Sequence, residues 1–257
     1  MIVTIIGSCA NQIANREGVS ILVEQGNENV LIDAGPGIVA ALGRAGRNAS
    51  DITNIILTHV HGDHITGFPY FVWNRNFERM GKTPASDLNV YGQEDVIEYA
   101  MFSLQHAYPE LTFPFKVHFH TIREDETIEL GCDMKVITTP AVHAVPCISC
   151  VIHSGDKKVV YSSDTLLSEK LVYLSMETDM LIHEGMMPNE MRELAAKVKH
   201  SLASDAGVFA KRVNAKQLAL VHIAPGMIGH ESVLLSEARE RYFGPISIPH
   251  DGSVYIV

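Results

Sequence analysis

The stretch Thr58-His59-Val60-His61-Gly62-Asp63-His64-Ile65-Thr66-Gly67 sets four potential metal ligands within six residues, directly after the apolar run of residues 54–58. A short, continuously apolar run of this kind reads as a strand buried on both faces. His59 and His61 stand two apart, so at an extended strand end they face the same way. Gly62 permits the turn that swings Asp63 and His64 round to the same point. Imidazole and carboxylate are the ligands zinc takes where thiolates are absent. A polar loop whose histidines only cap the next helix explains one H-x-H, but not H-x-H-x-D-H between a strand and a helix.

On the N-terminal side of this stretch, residues 2–6, 19–24 and 29–33 are apolar runs punctuated by Gly7-Ser8 and Gln25-Gly26-Asn27, a strand–loop–hairpin pattern. Residues 36–45 read as a helix with Pro36 at its start. On the other side, residues 88–91 form a strand and 94–105 a helix. Strands follow at 115–120, 127–130, 134–139, 147–153 and 157–161, with Ser154-Gly155-Asp156 as a tight hairpin turn. The pattern then alternates: strand 180–183, helices 189–198 and 203–213, strand 217–222, helix 231–242, and closing strands at Ser247 and 254–257. Two strand-rich halves with helices suggest an α/β fold, a four-layer α/β/β/α sandwich of two mixed sheets. No linker, charge block or repeat interrupts residues 1–257, which are expected to form a single domain.

Among 257 residues, 46% are hydrophobic and 19% charged, the composition of a globular chain with a substantial core. With 20 Lys+Arg against 30 Asp+Glu, the net charge of −10 counts against a protein that grips nucleic acid by long-range attraction. No run of eighteen apolar residues occurs, and Met1-Ile-Val-Thr-Ile-Ile reads as a first strand rather than a leader, so a cytoplasmic protein with no membrane partner is expected. Cys147 and Cys150 form one C-x-x-C, but residues three apart on a strand point to opposite faces, so buried reduced thiols are expected rather than a zinc site. The thirteen histidines need another explanation.

His59-Val-His61-Gly-Asp63-His64 resembles the signature of the metallo-β-lactamase fold superfamily, whose architecture is the α/β/β/α sandwich. Three further candidate ligands follow in that family's order, each after an expected strand: His143 in Thr139-Pro-Ala-Val-His143, Asp164 in Tyr161-Ser-Ser-Asp164, and His222 in Leu220-Val-His222. The resemblance narrows to the ribonuclease Z-like branch. Residues 8–16, Ile32-Asp33-Ala-Gly35-Pro-Gly37, Leu181-Ile-His183-Glu184-Gly185, His200-Ser201-Leu202 and Ile248-Pro-His250-Asp251-Gly252 resemble its loops, so the likeness runs from Gly7 to Gly252. There are departures. Transfer-RNA-processing members commonly carry a long arm between the third histidine and the bridging aspartate, whereas His143 and Asp164 are 21 positions apart here. The branch's His-Ser-Thr is His200-Ser201-Leu202, and its His-Glu-Ala-Thr is His183-Glu184-Gly185-Met186.

The resemblance implies two Zn²⁺ ions, with Mn²⁺ or Fe as alternatives: His59, His61 and His143 on one, Asp63, His64 and His222 on the other, and Asp164 bridging. It implies a phosphodiesterase acting on a small or flexible phosphodiester by attack of a metal-bridging hydroxide. Asp63, His200 and Glu184 are the catalytic candidates, with His200 as general acid oriented by Glu184 and held in its charged form. Asp33 is expected to hold a ligand histidine in one tautomer. The competing readings are hydrolysis of a lactone, thioester or aryl sulfate at the same metals, transfer-RNA 3′-end processing, or a non-hydrolytic di-iron or binding role. Retention of an acid pair favours phosphodiesters, and the acidic charge and missing arm disfavour nucleic acid. Eleven of the aromatics crowd residues 68–115; some must fill the core of the first half, and the crowding at Phe68 to Phe77 suggests a partly exposed lid over the metals or a homodimer contact. His118 and His120 read as same-face strand residues, His250 could approach the site, and His106, His153, His183 and His230 have no assigned role.

Overall fold

The computed structural model describes residues 1–13 and 15–257. Its strands are β1 (Ile2–Gly7), β2 (Ser20–Gln25), β3 (Glu28–Ile32), β4 (Asn54–Ile56), β5 (Leu88–Gly92), β6 (Val117–Thr121), β7 (Thr127–Glu129), β8 (Met134–Pro140), β9 (Ile148–Ser154), β10 (Lys157–Tyr161), β11 (Met180–Glu184), β12 (Leu218–Val221), β13 (Ile246–Ser247) and β14 (Ser253–Ile256). The helices are α1 (Ile38–Arg44), α2 (Gly62–Ile65), α3 (Phe68–Glu78), α4 (Glu94–Ala107), α5 (Glu169–Leu174), α6 (Arg192–Val198), α7 (Ala203–Arg212) and α8 (Glu231–Arg239). Two seven-stranded sheets result, in the orders β14-β1-β2-β3-β4-β5-β6 and β13-β12-β11-β10-β9-β8-β7. Each is mixed. In the first, β3 through β6 run parallel; in the second, β10 through β13 do.

The period-two alternation of strand side chains builds the layers. Along β2, β3 and β4, Ile21, Val23, Val30, Ile32 and Ile56 face the second sheet, while Leu22, Leu31 and Ile55 face α1, α3 and α4. The second sheet repeats this: Ile152, Val159, Tyr161, Ile182 and Val221 turn inward, and Val151, Val160, Leu181 and Leu220 turn toward α5, α7 and α8. Strands buried on both faces are largely apolar, which is why residues 55–57 show no polar alternation. The four-layer sandwich expected from the sequence is the fold observed.

Several details differ from expectation. Strand β4 stops at Ile56 because the Thr58 amide donates to Oδ1 of Asp33 at 2.8 Å instead of to a strand. Residues 189–198 divide into a 3₁₀ turn, Asn189–Met191, and α6. Phe68 to Phe77 lie in α3, with Pro69 in its first turn, and the core alternative holds for part of them. Phe68, Phe71, Val72 and Arg75 follow helical spacing and are buried, with both phenylalanines in the core against the first sheet. Tyr70 and Phe77 remain exposed on the other side. All four cysteines are free thiols; Cys9, Cys147 and Cys150 are buried, but Cys132 is exposed. No helix among the described residues is long and apolar enough to cross a membrane.

Candidate metal centre

All the candidate ligands but His143 stand where parallel strands end. Chain leaving β4 carries His59 and His61 and turns into α2 with Asp63 and His64. Chain leaving β10 carries Asp164, and chain leaving β12 carries His222. His143 comes from the connection between β8 and β9. Carboxyl ends of neighbouring parallel strands are where open α/β sheets gather ligand-binding groups, and here two sheets present those ends at one edge. Asp33, Ser163, Lys199 and His222 are held there at φ of 65°, 52°, 57° and 56°. Left-handed backbone is costly for these residue types and tends to collect at functional sites.

The side chains converge. Oδ2 of Asp164 lies 3.4 Å from Nε2 of His64, 3.4 Å from Nε2 of His222, 3.5 Å from Nε2 of His59 and 3.8 Å from Nε2 of His143. Nε2 of His143 is 3.1 Å from Nδ1 of His61, and Nε2 of His222 is 3.3 Å from Oδ2 of Asp63. Donor atoms of one tetrahedral zinc site stand about 3.4 Å apart when the bonds are about 2.1 Å. Three donor sets, His59/His61/His143/Asp164, Asp63/His64/His222 and Asp164/His200/His222, each lie within 4.8 Å among the described residues. Nε2 of His59, Nε2 of His64 and Oδ1 of Asp164 are buried without a hydrogen-bond partner. Orphaned buried acceptors aimed at one point are what a cation would satisfy, so the residues fit a divalent metal centre.

Protonation fits as well. Burial holds His59 and His61 below the ordinary imidazole range and lowers His143 to about 4, leaving neutral rings with free lone pairs. Asp63 is lowered to about 2 and Asp164 falls well below the carboxylate range; burial opposes both shifts, and the facing histidines outweigh it. His64 is raised despite complete burial, because Asp164 and Asp33 flank it. Metal binding there must displace a proton.

Neighbouring groups set the ring orientations. Nδ1 of His64 donates to Oδ2 of Asp33 at 2.8 Å. The Thr58 hydroxyl also donates to that oxygen at 2.9 Å, while accepting from Nδ1 of His59 at 3.0 Å and from the Ser163 hydroxyl at 3.0 Å. Nδ1 of His143 donates to the Lys199 carbonyl at 3.1 Å. In all three histidines Nε2 is thereby left to face the cluster.

The ligand loop is seated by backbone contact. A Cβ on Gly35 would lie 1.9 Å from the Asp63 carbonyl oxygen, one on Gly18 2.5 Å from it, and one on Gly67 2.1 Å from the Gly35 carbonyl oxygen. Only glycine allows this approach. The loop carrying Gly18 is held in turn by Asp251, which accepts from the Ser8 hydroxyl at 2.8 Å and the Glu17 amide at 2.7 Å. Buried Arg16 donates to Ser8, the Pro249 carbonyl and Glu231. His250 belongs to this clamp, 3.2 Å from Arg16, not to the cluster. Asp33 is where the sequence placed it; Thr58, Ser163 and Lys199 were missed. Thr58 and Ser163 each directly precede a ligand, the one signal available, yet their contact joins residues 105 apart.

Beside the cluster, Nδ1 of His200 donates to Oε2 of Glu184 at 2.9 Å. The His200 ring stacks on His222 at 5.2 Å and meets His143 edge-on at 4.9 Å. Both members are buried. Glu184 is pushed well above the carboxylate range by burial and by the charge of Asp164. His200 is lowered, not raised as the sequence suggested, because burial outweighs the nearby carboxylates. His118 and His120 lie elsewhere, bonded to Asp87 and Asn89 across the parallel strands. His183 is buried, donating from Nδ1 to the Glu184 carbonyl.

A family profile described as Anti-Pycsar protein Apyc1 matches residues 1–205, a span holding every candidate ligand except His222. The chain is similar to ribonuclease Z of Lactiplantibacillus plantarum, at 24% identity over 91% of this chain and 89% of that protein. Among solved structures it is similar to the metallo-β-lactamase fold protein YhfI of Bacillus subtilis, with TM-score 0.83, 23% identity, and 99% and 98% of the two chains covered. Human tRNase Z, short form, matches with TM-score 0.80, 20% identity, and 100% and 99% covered. The expected likeness to ribonuclease Z proteins and the metallo-β-lactamase fold are thus both found. The chain belongs to the family described as Anti-Pycsar protein Apyc1.

Proposed function

We propose that the protein is a dinuclear zinc phosphodiesterase for a small or flexible phosphodiester. His59, His61 and His143 would hold one ion, Asp63, His64 and His222 the other, and Asp164 would reach both. Bound divalent ions supply electrophilic polarisation of the ester and an activated water. The protein's own residues supply orientation and a proton. Asp33, Thr58 and the Lys199 carbonyl hold the ligand rings in one tautomer. His200, with Nδ1 committed to Glu184, presents Nε2 to a departing alkoxide, to which it would pass a proton released by the attacking water, since burial keeps the resting ring neutral.

The observation that carries this reading is the buried His200–Glu184 pair packed directly on two ligand rings. A poor alkoxide leaving group needs such an acid, whereas an opening lactone needs less help. The relative named ribonuclease Z supports phosphodiester chemistry.

The test compares wild type and His200→Ala on a phosphodiester with an alkoxide leaving group, an aryl sulfate and a lactone. The phosphodiester should be turned over fastest, and His200→Ala should lower its kcat by about 100-fold or more. Much faster lactone or sulfate turnover that survives His200→Ala would overturn the proposal.

A further inference from the structure

We infer that Lys199 is a positioning residue that clasps a metal ligand to the acid. Lys199 ends α6 with φ 57° and ψ 51°. Helices that close on a left-handed residue usually place Gly there, since it has no Cβ to strain. A lysine in that position is expected where its side chain has a use. Here Nζ donates to the His143 carbonyl oxygen at 3.0 Å, while the Lys199 carbonyl accepts from Nδ1 of His143 at 3.1 Å. Two hydrogen bonds of opposite sense thus join residues 56 apart in sequence.

The two bonds do different things. The carbonyl fixes the His143 tautomer, so Nε2 faces the cluster. The ammonium fixes the backbone of the His143 loop, so the ring stays where the carbonyl can hold it. The next residue is His200, whose amide donates back to the Ala195 carbonyl at 2.9 Å and whose ring meets His143 at 4.9 Å. Displacing either histidine moves the other through Lys199. The bland alternative is an exposed lysine of no consequence, which would leave ligand and acid independent. This inference rests on the proposed function in taking His200 as the acid.

Lys199→Gly separates the parts: it keeps the left-handed backbone and the carbonyl and removes the side chain with its ammonium. Lys199→Arg keeps a cation. Zinc affinity is read by competition with a chromophoric chelator. The kcat is read on two phosphodiesters, one leaving as p-nitrophenolate and one as an alkoxide. Lys199→Gly should weaken zinc by about tenfold, the usual scale for groups that support a metal ligand. It should also lower kcat for the alkoxide at least about tenfold more than for p-nitrophenolate, because only the alkoxide depends on the acid. Lys199→Arg should restore most of both. Wild-type behaviour of Lys199→Gly in either measurement overturns the inference. His200→Ala is the control: if it too discriminates nothing, the acid assignment has failed, and the zinc titration alone decides the clasp.

Discussion

Oδ2 of Asp33 accepts a 2.8 Å hydrogen bond from Nδ1 of His64, and both side chains are fully buried. The bond turns Nε2 of His64 toward Asp164 and leaves it without another partner. In Asp33→Asn the amide cannot accept at both Thr58 and His64, so the imidazole loses its anchor. Zinc affinity should fall about 10–100-fold with the fold retained. A competition titration with far-UV circular dichroism checks both.

Gly35 carries a stricter requirement. The Asp63 carbonyl oxygen lies where its Cβ would be, at 1.9 Å, and backbone cannot yield as a side-chain tip can. Gly35→Ala should displace the loop bearing His59 to His64. Metal affinity should drop by at least about tenfold, together with a stability loss of about 1–3 kcal/mol. Gly43→Ala, where nothing lies within 4 Å, is the control and should cost neither.

His183 predicts a pH dependence of stability. Burial lowers it to about 4 in the folded chain, against an ordinary value near 6.5. Between those limits the unfolded chain binds a proton that the folded chain refuses. Stability from this group is complete above pH 6.5 and is lost as pH falls toward 4, by about 3 kcal/mol in all. Urea unfolding of wild type and His183→Gln across that window should show a shallower slope in the variant. Parallel slopes would assign the acid sensitivity to other groups.

The H-x-H-x-D-H stretch made His59, His61, Asp63 and His64 legible as candidate ligands because its spacing is local: a strand end, a glycine and a helix start suffice, whereas His143, Asp164 and His222 were read from the family resemblance. What surrounds them was not local. Lys199 belongs to no motif in the sequence, and only folding brings it onto His143. Thr58 and Ser163 meet across two sheets. Phe68 to Phe77 were legible as a helix from the 68, 71, 72, 75 spacing and Pro69, but their aromatic content suggested a lid. The charge on His200 was misjudged for a similar reason. Glu184 is visible in sequence, whereas burial, which outweighs it, is a property of the packed site.

Metal content tests the central claim most directly. Protein purified without chelator is analysed for divalent metals, then stripped, assayed on a phosphodiester, and reloaded with zinc. The expected result is about two ions per chain, as in other paired-metal hydrolases, with hydrolysis lost on stripping and regained on reloading. Asp164→Ala, which removes the carboxylate standing 3.4 Å from both His64 and His222, should hold less metal than wild type. A folded, metal-free protein that still hydrolysed the ester at the wild-type rate would contradict the claim.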